Sequence, residues 1–275
     1  MGFFSKKEVV APAARTKAAP PPAPTAITGM GIACYSGDKP LSLICAILGQ
    51  MNGVRLSKEH LIPSDDGSKV AMARMAPVKE FGDMPERERM YQLSTISLTN
   101  AAAQLPANVK PESLLIVLSV APVFVTRFNK IDTEHLQNYL VAEIPRLASA
   151  TFRILPNSTG SSSNALRTAL AELNEGKWQA IIFGGSDSLI SMDTCLKLDE
   201  AKRLNTVGKR AGIVPGEGAA FIVLQSTDTA KTNTSPALAY LSGLGTAAEP
   251  NARDSDLEST LGLSSAINQA IWLPA

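Results

Sequence analysis

One stretch of this 275-residue sequence has the residue types and spacing to do chemistry. Ile154-Leu155-Pro156 leads into the polar turn Asn157-Ser158-Thr159-Gly160-Ser161-Ser162-Ser163. Leu166, Leu170 and Leu173 then recur at helical spacing as far as Gly176, where a C-terminal cap belongs. A strand that turns sharply into a helix gathers the turn residue and the helix's free N–H groups at one point, which suits a nucleophile. The apex residue here is Gly160, whose side chain is a hydrogen atom. A non-glycine residue at such a turn often holds about 1–3 kcal/mol of backbone strain, and glycine relieves it because there is no Cβ to clash. A register shifted by one would bring Thr159 or Ser161 to the apex. Either hydroxyl would still need a positioned base, and no histidine follows His135.

Other elements must hold that turn. Ile27 to Cys34 reads as a first strand that breaks at Gly29 and Gly31. The pair of glycines lacks the third glycine and the downstream acid of a dinucleotide-binding turn. Leu41 to Leu48 predicts a short helix, and Gly53 to Pro85 reads as polar and irregular. Met84 to Leu105 predicts a longer helix, with Pro85, Glu86 and Glu88 suited to its first turn. Leu114 to Val120 is a continuous apolar run, as a strand buried on both faces requires. His135 to Leu147 is helical up to Pro145. Trp178 to Gly185 is a second buried strand, and Ser191 to Leu204 a further helix. The turn Gly216-Glu217-Gly218 feeds the strand Ala219 to Leu224, and beyond residue 236 come a strand at Leu238 to Leu244 and a helix through Leu261, Ser264, Ile267 and Ile271. Buried strands alternating with helices predict an α/β fold, a mixed and mostly parallel sheet with helices on both faces.

Composition narrows the function classes. With 26 basic and 25 acidic residues the formal charge is +1, without the basic surplus that nucleic-acid binding needs. No segment approaches the ~20 apolar residues of a membrane-spanning helix. Residues 1–26 are rich in Ala and Pro, cannot build a core and predict a disordered tail; Met1 to Lys7 lacks the apolar run of a secretory signal. Cys34, Cys45 and Cys195 show no CxxC spacing, so neither a disulfide framework nor a metal site is expected, and a cytoplasmic setting is. His60 and His135 read as bystanders, and no cofactor is called for.

Several of these blocks resemble the β-ketoacyl-acyl-carrier-protein synthases, whose fold is thiolase-like. Ile27-Thr28-Gly29-Met30-Gly31 is similar to their opening strand, and residues 157–163 to their nucleophile elbow, where a cysteine stands between Ala and Ser. Ile181-Ile182-Phe183-Gly184-Gly185-Ser186 resembles the next strand with its Gly-Gly exit. Lys209 to Ala220 resembles their Arg-Asp-Gly-Phe-Val-x-Gly-Glu-Gly-Ala-Ala block. The resemblance implies a ketosynthase-like N-terminal thiolase domain over residues 27–225, a linker over 226–236, and the beginning of a second thiolase half over 237–275.

It also implies what is missing. The catalytic cysteine position falls on Gly160, and a condensation that carries its acyl chain as a thioester needs a thiolate there. The family's catalytic histidines belong to the second half, mostly past residue 275. Glu217 matches a glutamate that supports the active-site network, with Arg210, Gly216 and Gly218 around it. Without the family's lysine, Glu217 is expected to cap its own turn, to pair with Arg210 or Lys209, or simply to stand exposed. Ser161, Ser162 and Ser163 are expected to cap and pack the helix start. The expectation is therefore an inactive scaffold, accessory subunit or adaptor, linked to fatty-acid or polyketide assembly or to bacterial secretion effectors. The alternative is an acyltransferase of the 3-oxoacyl-carrier-protein synthase type completed by a partner chain. The partners implied are a second copy or a ketosynthase-like chain, with an acyl carrier protein or an effector beyond that. An apolar helix face at Ile267, Ile271 and Trp272 points the same way.

Overall fold

The structure, a computed structural model, describes residues 24–63, 70–120, 130–155, 159–248 and 261–271. The tail over residues 1–23, the turn residues Asn157 and Ser158, and Trp272 lie outside these described residues.

Six strands form the central sheet: β1 (Thr25–Cys34), β4 (Leu114–Val120), β5 (Thr151–Leu155), β6 (Ala180–Ser188), β7 (Glu217–Ser226) and β8 (Ala239–Leu241). Their spatial order is β5-β4-β6-β7-β1-β8. Parallel pairing is confined to β5-β4-β6; β7 runs antiparallel to both β6 and β1, and β8 antiparallel to β1. Four of the six strands therefore share one direction within a mixed sheet. The run Leu114 to Leu118 explains the centre: each of its residues is at most 2% exposed, which only a strand covered on both faces achieves.

Helices α2 (Glu86–Ala102) and α4 (Thr159–Asn174) cover opposite faces. Ile116, Leu118, Phe221 and Val223 pack with Met90, Leu93 and Leu98 on the α2 side. Leu115, Val117, Ile181 and Leu224 pack with Ala169 and Leu173 on the α4 side. The remaining helices are α1 (Pro40–Leu48), α3 (Lys130–Glu143), α5 (Met192–Glu200), α6 (Thr227–Thr232) and α7 (Leu261–Ala270).

Small residues set how closely α2 lies on the sheet. Ser94 and Ser97 are fully buried and return their hydroxyls to the carbonyls of Met90 and Leu93 at 2.8 and 2.7 Å, so they add almost no bulk. β1 answers with Gly31, where a Cβ would stand 1.8 Å from the Ser97 carbonyl oxygen. A second close approach joins α7 to the segment after β8. Cβ atoms at Gly243 and Gly245 would meet the carbonyl oxygens of Ala270 and Ala266 at 2.0 and 1.7 Å.

Two sequence expectations need correction. The span from Gly53 to Pro85 is not irregular, because it contains the hairpin of β2 (Arg55–Pro63) and β3 (Val70–Met75). Its signal was hidden by a register shift between Leu56 and Leu61, which destroys the period-two alternation. The stretch 226–236 is not a plain linker: it carries α6, whose Ser226 side chain accepts the Thr229 N–H as an N-cap. The strand expected at Leu238 to Leu244 shortens to β8, whose pairing with Thr25 to Ile27 ties this segment to the first sheet. Gly31→Ala should destabilise the protein by about 1–3 kcal/mol or more through overpacking, read as a lower urea midpoint. Gly218→Ala, where a Cβ meets its nearest atoms at 3.2 and 3.6 Å, should cost clearly less.

Candidate functional site

The first turn of α4 contains Thr159, Gly160 and Ser161, so the position that the resemblance matches to a nucleophile lies at a helix N-terminus. Ser162 follows in the same turn. Its hydroxyl meets that of Ser119, at the carboxyl end of β4, at 2.6 Å. This bond ties the start of α4 to the neighbouring strand. Ser163 is half-buried beside it.

Ser119 and Ser162 line an open cleft of about 730 Å³. It lies over the carboxyl ends of β1, β4 and β6 and the amino end of β7, where open α/β sheets place their ligands. Its floor is made of Gly185, Gly218 and Ala220, and its walls of Ile32, Phe183 and Ile222. Cys34 and Asp187 bracket the floor. Gly218 pairs with Cys34 on one side and with Asp187 on the other, so both side chains belong to the same sheet face with only hydrogen between them.

These two groups differ in character. The Cys34 thiol lies 3.1 Å from the Ser36 hydroxyl. Burial pushes the Asp187 carboxyl up to about 6, with the Ser188 backbone N–H opposing the rise and the Glu86 charge adding to it. Its Oδ1 has no hydrogen-bond partner among the described residues. Cys195, buried in the hairpin cluster, has its thiol pushed up to about 11 and offers no thiolate at neutral pH. Cys34 is thus the one cysteine that shares the cleft with the α4 start, a juxtaposition the sequence did not disclose.

On the other face of the sheet sits the residue pair that fixes this floor. Glu217 neither caps its own turn nor pairs with Arg210 or Lys209. Its Oε1 accepts from Arg89 Nη2 at 2.8 Å and from the Val78 N–H at 2.6 Å; its Oε2 accepts from Arg89 Nε and from the Ser188 hydroxyl, both at 2.9 Å. The two side chains are 3% and 0% exposed. Arg89 also donates to the Gly82 carbonyl at 2.7 Å and lies over the Phe81 ring at 5.6 Å. Lys209 instead faces Asp199 at 3.5 Å, and the Arg210 carbonyl accepts from Asn205 Nδ2 at 2.6 Å. The cause of the misreading is distance along the chain: Arg89 lies 128 positions from Glu217, on α2, and only the packing of α2 brings them together. Gly216 accepts from the Leu189 N–H at 2.9 Å and so holds the turn before β7. No group of three or more His, Cys, Asp or Glu side chains placed to hold a metal occurs among the described residues. No helix among them is long and apolar enough to cross a membrane.

Residues 154–230 match the family described as Beta-ketoacyl synthase, N-terminal domain. No curated protein matches this sequence. A β-ketoacyl synthase from Burkholderia phymatum STM815 superposes with a TM-score of 0.63 at 20% identity, over 90% of this chain and 70% of its own. A type II polyketide synthase acyl-carrier protein in complex with its ketosynthase bound to the hexaketide gives 0.68 at 14% identity, over 90% and 69%. The ishigamide ketosynthase/chain length factor gives 0.65 at 15% identity, over 90% and 70%. The fold is therefore the thiolase-like ketosynthase fold, and residues 154–230 match the N-terminal domain of that family.

Glu217→Gln should cost about 3–5 kcal/mol, because it strands a buried guanidinium, whereas Lys209→Ala should cost under about 1 kcal/mol; chemical denaturation of both variants checks the contrast. Asp187 predicts a pH dependence of definite sign. Its folded-state value lies above the ordinary carboxylate value, so its contribution is fully present below about pH 4 and is lost as pH rises through about 6. Asp187→Asn should then stabilise the protein at pH 7 by roughly 3 kcal/mol, at about 1.4 kcal/mol per pH unit, and leave stability at pH 4 nearly unchanged.

Proposed function

We propose, from the premise of a ketosynthase-type N-terminal half with Gly160 in the nucleophile position, that this chain is a non-condensing ketosynthase-like subunit. It works beside a ketosynthase-type partner, in the manner of an accessory or chain-length subunit, within fatty-acid or polyketide assembly in the cytoplasm. Gly160 carries the reading. An acyl chain cannot be held as a thioester on a residue that ends in hydrogen.

Two further observations support it. Ser119 on β4 and Ser162 on α4 meet at 2.6 Å, which fixes the helix start that carries Gly160 beside the sheet. The apolar residues Leu263, Ile267 and Ile271 recur every fourth position along α7 and just past its end, and are 61%, 46% and 53% exposed. An apolar stripe of this kind is what a partner chain covers. Among the fold relatives one is a ketosynthase/chain length factor assembly and another a ketosynthase held with its acyl-carrier protein. Both kinds of partner are proposed here by analogy of fold. An adaptor for a bacterial secretion effector would use the same uncovered surfaces.

A second reading rests on Cys34, whose thiol borders the same cleft as the Asp187 carboxyl. In that reading the chain is an acyltransferase of the 3-oxoacyl-carrier-protein synthase type, with its remaining catalytic groups supplied in trans.

Covalent trapping separates the two. The protein is incubated with an acyl thioester or an epoxide alkylator of the cerulenin type, weighed intact and mapped by peptide mass. The proposed function predicts no adduct on the peptide spanning 154–166 and none specific to Cys34 over an unfolded control. Gly160→Cys should gain the adduct, because it places a thiol at the α4 N-terminus. A stable acyl adduct on the wild-type turn would overturn the proposal, and one on Cys34 would establish the second reading.

A further inference from the structure

The β2–β3 hairpin holds a side-chain arrangement outside the cleft. Leu56 pairs with Arg74 and Leu61 with Met72, so the four residues from Ser57 to His60 stand opposite Ala73 alone. An excursion of that size gives up ladder hydrogen bonds, and bulges are used to re-aim side chains. Here the excursion turns Ser57 and His60 toward each other. The Ser57 hydroxyl oxygen accepts the His60 backbone N–H at 3.3 Å and lies 2.8 Å from His60 Nδ1. With the ring proton on Nε2, the hydroxyl hydrogen is free to donate to Nδ1. Burial holds the imidazole below its ordinary value; Glu59 opposes that shift and Arg89 reinforces it. A neutral ring at pH 7 is a competent proton acceptor.

Both side chains line a cavity of about 320 Å³. Arg55, Lys58 and Lys79 line it as well, against the carboxylates of Glu59 and Asp83; the fourth lining cation, Arg89, is already neutralised by Glu217. Met75, Pro77 and Ile190 supply apolar wall. The space suits a small ligand of a few apolar atoms and one negative charge, at the low end of ligand-pocket volumes.

We infer that Ser57 and His60 form a nucleophile–base pair that cleaves small esters bearing a carboxylate, at a site separate from the ketosynthase-type cleft. In the first step Ser57 Oγ bonds to the ester carbonyl carbon as its proton passes to His60 Nδ1. The carbon–alkoxide bond then breaks, and the departing alcohol takes that proton back. Water, deprotonated by His60, next attacks the acyl-serine; the serine oxygen leaves with the proton, and a carboxylic acid is released. The hydroxyl and imidazole lie within the reach such a pair requires. The cationic wall selects the charged acyl group by electrostatic attraction.

The test uses a fluorophosphonate probe on the full chain, with peptide mapping, together with hydrolysis of 4-nitrophenyl hemisuccinate and of neutral 4-nitrophenyl butyrate. Probe attachment to Ser57 is expected in the native protein and not in urea. Ser57→Ala should abolish it, and His60→Gln should slow it roughly a hundredfold, the scale of a lost general base. Lys79→Glu should slow the hemisuccinate more than the butyrate. Native protein that takes up no probe at Ser57 would overturn the inference, whatever the variants do. So would labelling that His60→Gln leaves unchanged. Neither result bears on Gly160, so this inference and the proposed function can fail independently.

Discussion

Arg89 and Glu217 meet on the α2 side of the sheet, where neither can be hydrated. A guanidinium and a carboxylate so placed are tolerated only if every lone pair and N–H finds a partner. That condition draws four parts of the chain together. Arg89 comes from α2 and Glu217 from the first residue of β7; the Val78 N–H brings in the segment leaving the hairpin, and the Ser188 hydroxyl brings in the last residue of β6. The alternation of a strand then does the rest. With Ser188 and Glu217 facing α2, Asp187 and Gly218 must face the cleft. The floor of the candidate site is thus positioned by a bond on its opposite side.

Close packing carries the same logic to the rest of the sheet. Gly31 against the Ser97 carbonyl and Gly184 against the Ala220 carbonyl leave no room for a Cβ, so strand and helix positions are set by backbone contact rather than by adaptable side chains. The Ser119–Ser162 bond adds a side-chain tie between the carboxyl end of β4 and the start of α4.

Much of this was legible in the residues. The runs Leu114 to Val120 and Ala219 to Leu224 announced buried strands because continuous apolar stretches bounded by turns have few other homes. The leucines after residue 165 announced α4 by their spacing. What stayed hidden depended on contacts far apart in sequence or on broken periods. Arg89 is one charge among several at the start of α2, and nothing local marks it as the partner of Glu217. The hairpin was obscured because Ser57 to His60 interrupt its alternation. α6 was obscured because Thr and Asp serve equally in linkers and in capped short helices. The join between Cys34 and Asp187 arises only from the register of β1, β7 and β6.

The central claim is that the chain does not itself form carbon–carbon bonds. The measurement that bears on it most directly is single-turnover condensation, with an acyl-loaded and a malonyl-loaded carrier protein mixed with the purified chain and the acyl groups followed by mass spectrometry. The account predicts no 3-oxoacyl product above the rate without protein. A 3-oxoacyl product formed in proportion to the amount of this chain alone would contradict it.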